Sequence, residues 1–163
     1  MIRNILAAAF IFLVLSGCLK DNASVNPCIY DECALKAPAN EIQDVQAYLN
    51  TNGISNATQH CSGLFYRVAA AGTGKTPNIC STVSAFYTGR FTNGNVFDQT
   101  TTTPANFQLN SVIEGWKKGL PLIKEGGKIF LYIPPTLAYG SAGRSGIPPN
   151  AILIFEIDLQ SVI

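Results

Sequence analysis

Two apolar segments near the C-terminus, 128–133 and 153–159, bracket a loop whose backbone has few choices. Gly140, Gly143 and Gly146 follow Tyr139, and Pro148-Pro149 close the stretch. Glycine supplies positive φ and proline holds φ at about −65°, so main-chain geometry specifies such a loop more than its side chains do. The side chains it does carry are Tyr139 at the start, Ile147 before the prolines and Phe155 on the following strand. A phenol, a main-chain N–H and a buried ring can frame an apolar pocket with polar handles. A tight crossover with a core tyrosine is the simpler alternative, and the rest of the chain decides between them.

Upstream, the pattern is that of strands with short helical interruptions. Residues 64–69 and 82–91 read as strands, the second with Val83, Ala85 and Tyr87 on one side and Ser84, Phe86 and Thr88 on the other. Asn93-Gly94 marks a hairpin turn into Val96-Phe97-Asp98. Threonines 100–103 with Pro104 form a surface loop before a strand at 107–109. Asn110 or Ser111 caps a brief helix over 112–119, with Val112, Ile113 and Trp116 on one face. The last strand puts Leu153, Phe155, Ile157 and Leu159 on one side and Ile152, Ile154, Glu156 and Asp158 on the other. The expected fold class is α+β, an antiparallel sheet wrapped around a short α-helix. Before it, 40–53 predicts a helix capped by Asn40 and stopped by Gly53, with Ile42, Val45 and Leu49 as its packing stripe.

The N-terminus belongs to targeting. One Arg precedes an apolar run of 11 residues, 5–15, then Ser16-Gly17-Cys18. Such a run is short for a bilayer span. Leu15-Ser-Gly-Cys18 resembles a bacterial lipobox, which implies cleavage after 17 and acylation of Cys18; an ordinary secretory signal and a short buried helix are the competing readings. Several acyl chains would anchor the protein durably to a membrane. Leu19 stands where an inner-membrane retention aspartate would, so an outer-membrane position is expected, on the periplasmic face or the surface. The organisation is thus a leader (1–17), a polar lipidated tether (18–39), a helix with its connector (40–62) and a main domain (63–163).

Export makes disulfides the default for Cys28, Cys33, Cys61 and Cys80. Four cysteines allow three connectivities; the sequence-local pairs Cys28–Cys33 and Cys61–Cys80 are the favoured expectation, the first closing a small loop in the tether. No metal site is expected, since C-x4-C lacks a second half and His60 adjoins Cys61 without ligand spacing. Gly72-Thr-Gly-Lys-Thr-Pro77 imitates the end of a phosphate loop, but Ala69 stands at the first glycine position and Pro77 obstructs the helix. A net charge of +1, with 13% charged residues, gives no footprint for nucleic acid. With one histidine and no Gly-x-Ser-x-Gly, neither nucleophilic nor acid–base hydrolysis has its parts.

What remains is aromatic. The run 83–98, containing Tyr87-Thr-Gly and Gly94…Phe97-Asp98, resembles a motif of FKBP-type peptidyl-prolyl cis–trans isomerases. Phe107-x-Leu-x-x-Val-Ile-x-Gly-Trp116 is similar to that family's pocket-floor helix, and Ala138-Tyr-Gly…Gly-Ile-Pro-Pro-Asn150 with Leu153-Ile-Phe155 to its long loop and last strand. The resemblance covers residues 63–163 in order and spacing. It implies Trp116 as the floor beneath a proline ring, with Tyr87, Phe97, Val112, Ile113 and Phe155 as walls. It implies that the Tyr139 hydroxyl and the Ile147 N–H bind ligand carbonyls, and that Asp98 orients polar groups near the twisting amide. Ala105 departs from a bulkier wall position, and the single Ile before Pro148 departs from members with two; both bear on substrate preference and macrolide affinity. Proline-containing exported polypeptides are the implied partners, with no cofactor. A low-activity binding module or chaperone on the same scaffold, and an envelope protein using the domain for docking, are the other expectations.

Overall fold

The computed structural model describes residues 28–163; the apolar run and Cys18 lie outside the described residues. Among the described residues no helix is long and apolar enough to cross a membrane. Helix α1 (Ala39–Thr51) precedes strands β1 (Thr58–Gln59), β2 (Phe65–Ala70), β3 (Thr82–Phe91), β4 (Val96–Gln99) and β5 (Ala105–Gln108). Helix α2 (Glu114–Gly119), β6 (Lys128–Ile133) and β7 (Leu153–Val162) complete the order, with short 3-10 turns flanking α2 and opening the 136–152 loop. The strands form one antiparallel sheet in the order β1-β2-β6-β7-β3-β4. Strand β5 also pairs with β3, alongside its first half, while β4 takes the second half. The fold is α+β, as the strand pattern implies.

Period-two alternation on β7 places each side chain. Leu153, Phe155, Ile157 and Leu159 are buried in the main core with Leu120, Ile129, Leu131 and Ile133. Ile152 and Ile154 face the other way, where Val45 and Leu49 of α1 meet Phe65 and Tyr132 in a second cluster. Glu156 and Asp158, further along that outer face, are half-exposed and accept from Lys128. Covering one stretch of the outer face with α1 thus explains why the strand is apolar on both sides at one end only.

Helix α2 lies against β6 at close range. A Cβ on Gly115 would come within 2.6 Å of Ile133, and one on Gly119 within 2.5 Å of Leu131. Glycines spaced i, i+4 clear one face of the helix for the sheet and leave Trp116 on the side that faces β3 and β7.

Local details differ from the sequence expectations. Asn40 does not cap α1; the helix starts at Ala39, after an extended Pro38 that makes no side-chain cap bond. The Ala37 N–H donates to Ser62 O at 2.8 Å, and this tie with the fixed φ of Pro38 moves the cap from Asn40 to Pro38. Gly53 ends the helix with φ +66°, as predicted. The β-branched Val112 and Ile113 are extended, so α2 begins only at Glu114, and Leu109–Ser111 is a separate 3-10 turn. Gly140, Gly143 and Gly146 have φ of +58°, +63° and +81°.

The cysteine pairing is the largest correction. Cys28 bonds Cys80, and Cys33 bonds Cys61, with Cα separations of 5.3 and 5.6 Å. Sequence-local pairing fails because residues 28–37 do not hang free as a tether. They lie on the domain, where Ala37 is buried in the core and Tyr30 reaches α2. The nearest cysteines in space therefore come from the turns before β2 and β3.

Candidate functional site

Trp116 organises a cavity of about 390 Å³ between α2, β3, β7 and the 136–152 loop. Tyr87, Phe107 and Phe155 meet its ring edge-on, with centroids 5.3, 5.1 and 5.3 Å away. Rings set edge-on to the Trp116 plane use the edge-to-face attraction and leave an apolar floor with upright walls. Val112, Ile113 and Ser111 close one side, and Asp98, Tyr139 and Arg144 stand at the polar rim. Trp116 is 4% exposed, and its Nε1 finds no hydrogen-bond acceptor among the described residues. Such an orphan costs about 1–3 kcal/mol, an expense that a floor selected for packing alone would avoid with phenylalanine.

The polar groups at the rim have fixed roles. Tyr87 donates its only proton to Asp98 Oδ2 at 2.8 Å. Burial, then the hydrogen bond and charge of Asp98, push that phenol up to about 12, so it stays a neutral donor that orients the carboxylate. Arg144 Nη1 donates to Tyr139 Oη at 2.9 Å, and its guanidinium sits 5.0 Å from the Tyr139 ring. Arginine has no acceptor, so the Tyr139 proton is left to point at something else. Glu41 of α1 secures the start of the loop, accepting from both the N–H and the hydroxyl of Thr136 at 2.8 Å.

Tyr87, Asp98, Val112, Ile113, Trp116, Tyr139 and Phe155 therefore share one cavity. Phe97 and Ile147 line an adjoining cleft of about 260 Å³ that shares Asp98, Tyr139, Arg144 and Phe155 with it. Phe97 backs Phe155 at 5.4 Å, perpendicular to it. The Ile147 N–H is not an open handle. It donates to Arg144 O at 2.8 Å while Arg144 N–H returns to Ile147 O at 3.0 Å, an antiparallel bridge that tightens the loop tip. By contrast, among the described residues none of the main-chain bonds joining loops and caps uses the N–H of Ile113. Phe107, opposite Val83 across the β3–β5 pairing, supplies the wall for which Ala105 looked inadequate; its place at the head of the Phe107…Trp116 motif was the available signal. Arg144 carried no signal, because reaching Tyr139 depends on the loop doubling back. A wider cleft of about 440 Å³, between the β3–β4 turn and Pro148–Ile152, holds no titratable side chain.

The described residues thus build an apolar box with an O–H donor and a carboxylate at its mouth, and they place no nucleophile–base pair in it. Fold and cavity together define an α+β protein with an aromatic-walled pocket against its short helix. The sequence model of the FKBP-type peptidyl-prolyl cis-trans isomerase matches residues 74–160, more than half of the chain, and the chain belongs to that family. FkpA of Escherichia coli K12, an FKBP-type peptidyl-prolyl cis-trans isomerase, is 48% identical over 103 residues, covering 62% of this chain and 38% of FkpA. The peptidyl-prolyl cis-trans isomerase Mip of Coxiella burnetii is 45% identical over 104 residues, covering 62% of this chain and 45% of Mip. The chain thus spans about two fifths of the length of these curated relatives. Among solved structures, FkpA from Escherichia coli superposes with a TM-score of 0.69 at 41% identity, over 76% of this chain and 60% of that one. A peptidyl-prolyl cis-trans isomerase from Pseudomonas syringae pv. tomato gives 0.67 at 32% identity, over 78% and 97%.

Proposed function

We propose that this protein catalyses cis–trans isomerisation of X–Pro bonds in exported polypeptides and so assists their folding at the cell envelope. The observation that carries the proposal is the cavity over Trp116, walled by three perpendicular rings and rimmed by Tyr139 and Asp98. An X–Pro bond faces a barrier of about 18–20 kcal/mol from amide resonance and crosses it in tens to hundreds of seconds. No bond need break. Only the planar, charge-separated amide must be disfavoured against the twisted one, and an apolar box does that by taking water away from it. A rate gain of about 10⁵ corresponds to about 7 kcal/mol of differential stabilisation.

In this mechanism the proline ring lies on Trp116, held between Tyr87, Phe107, Val112 and Phe155. The Tyr139 hydroxyl, which accepts from Arg144 and keeps its own proton for the ligand, donates to a substrate carbonyl. The N–H of Ile113, which no main-chain bond among the described residues engages, takes a second carbonyl, the role first expected of Ile147. Asp98, aimed by Tyr87, sits beside the twisting carbonyl; Phe97 and Ile147 support the rim from the adjoining cleft. A macrolide such as rapamycin competes for the same box. Attachment through an acylated Cys18 to the outer membrane completes the proposal, resting on Leu15-Ser-Gly-Cys18.

The test compares the natural protein with a Tyr139→Phe/Asp98→Ala double variant in X–Pro peptide isomerisation. Acceleration by the natural protein and a strong loss in the variant are expected. A natural protein no faster than buffer overturns the proposal. Intact mass spectrometry of membrane-extracted protein checks the anchor, which an unmodified Cys18 would refute.

A further inference from the structure

One ionised side chain in the described structure is almost wholly buried. Lys118, on the same short helix as Trp116, is 1% exposed. Its ammonium donates to Tyr30 Oη at 2.6 Å and lies 3.3 Å from Glu114 Oε2. Tyr30 in turn donates its proton to that same Glu114 oxygen, and its ring lies 4.8 Å from Lys118 Nζ. Lys117 takes the other Glu114 oxygen at 2.8 Å. The three groups Tyr30, Glu114 and Lys118 form a closed ring, in which the two bonds of the Tyr30 hydroxyl are short and charge-assisted and the Lys118–Glu114 ion pair is longer at 3.3 Å. A buried ammonium needs both partners, because removing one leaves desolvated charge uncompensated.

Tyr30 comes from far away in sequence, 84 residues before Glu114 and outside the matched residues 74–160. It is held in place from both sides, by Cys28–Cys80 two residues before it and Cys33–Cys61 three residues after. What it grips is a helix of six residues with two glycines and no side-chain cap at its start. Such a segment has little helical stability of its own, so its placement depends on its neighbours. Strand β6 bears on one face through Ile133 and Leu131; Tyr30 bears on Glu114 and Lys118, on either side of Trp116 in the sequence.

We infer that Tyr30 is a positioning residue for the pocket floor: a disulfide-latched strap, residues 28–37, sets α2 and thereby Trp116 through the Tyr30–Glu114–Lys118 ring. The hydroxyl, not the ring, is the operative group. Its loss leaves Lys118 with Glu114 alone, and α2 shifts to bring water to the ammonium. The kinetic consequence rests on the isomerase proposal above; the consequence for Trp116 does not.

The experiment uses the full oxidised chain and Tyr30→Phe, which keeps the ring. Trp116 is the only tryptophan, so its emission reports the floor directly. Tyr30→Phe is expected to red-shift that emission and increase its quenching by acrylamide. In X–Pro isomerisation kcat/KM should fall about three- to tenfold, chiefly through KM, since a displaced floor weakens binding of the proline ring. In a Glu114→Gln/Lys118→Met background, where neither an ammonium nor a carboxylate needs the hydroxyl, Tyr30→Phe should change neither readout further. That background also serves if Tyr30→Phe alone fails to fold, because removing the charge restores folding. A Tyr30→Phe protein with a lowered melting temperature but unchanged Trp116 emission and quenching overturns the inference, as does an equal effect in the Glu114→Gln/Lys118→Met background. Altered Trp116 emission with no isomerase activity in any variant leaves the positioning role standing and sinks the isomerase proposal instead.

Discussion

Which cysteines pair can be read from stability, because the two bridges are nested. Cys33–Cys61 spans 28 residues and lies inside the 52 spanned by Cys28–Cys80. In the chain-entropy account a loop of 28 residues is worth about 3.6 kcal/mol at 25 °C. With that bridge closed, the outer one shortens only about 25 residues of free chain and adds about 3.5 kcal/mol. Cys28→Ser/Cys80→Ser removes the outer bridge alone and should cost about 3.5 kcal/mol. Cys28→Ser/Cys33→Ser breaks both bridges, leaves Cys61 and Cys80 as free thiols, and should cost about 7 kcal/mol, comparable with the whole stability of many domains. Sequence-local pairing reverses the order. There, Cys28→Ser/Cys33→Ser would remove only a five-residue loop worth about 2 kcal/mol, and Cys28→Ser/Cys80→Ser would break both bridges. Urea titrations followed by Trp116 fluorescence, with thiol counting on each variant, separate the two. A Cys28→Ser/Cys33→Ser protein that is the more stable of the pair and has no free thiol would refute the nested connectivity.

Other outcomes follow from single contacts. Gly89→Ala places a Cβ 2.6 Å from Phe97 and 2.9 Å from Phe155, so overpacking of about 1–3 kcal/mol and a loss of X–Pro turnover are expected from urea titration and peptide assay. Tyr87 has a phenol raised from 10.0 to about 12 by burial and by Asp98. A raised folded value gives stability that is full below pH 10 and lost as pH rises towards 12, so the stability gap between the natural protein and Tyr87→Phe should narrow across that window. Glu41→Ala removes two bonds to Thr136 and should cost about 1–3 kcal/mol, with faster hydrogen exchange at the Thr136 amide; unchanged exchange would exclude Glu41 as the loop anchor.

Much of the site was legible in the sequence because it is built from short-range rules. Alternation on β7 assigned Phe155 to the inside, and the three loop glycines all take the positive φ their type permits. The distances between Tyr87, Trp116 and Tyr139 in the chain carry a family resemblance that periodicity alone would not supply. What the sequence hid is long-range. Disulfide partners, the Tyr30 contact on α2 and the Glu41 contact on Thr136 all depend on how the N-terminal segments lie on the finished sheet. Main-chain bookkeeping was hidden too: the Ile147 N–H is spent inside a loop bridge, a matter of ångströms that residue types do not encode. The start of α2 was missed for a similar reason, since two extended β-branched residues overrode the polar caps before them.

The central claim is that the cavity over Trp116 untwists and retwists X–Pro bonds, and the most direct measurement is the exchange rate of one such bond by NMR in a proline-containing peptide. With the oxidised protein at catalytic concentration, cis and trans resonances should exchange much faster than in buffer, and rapamycin should return the rate to that of buffer. Exchange at the uncatalysed rate in the presence of folded, disulfide-bonded protein would contradict it.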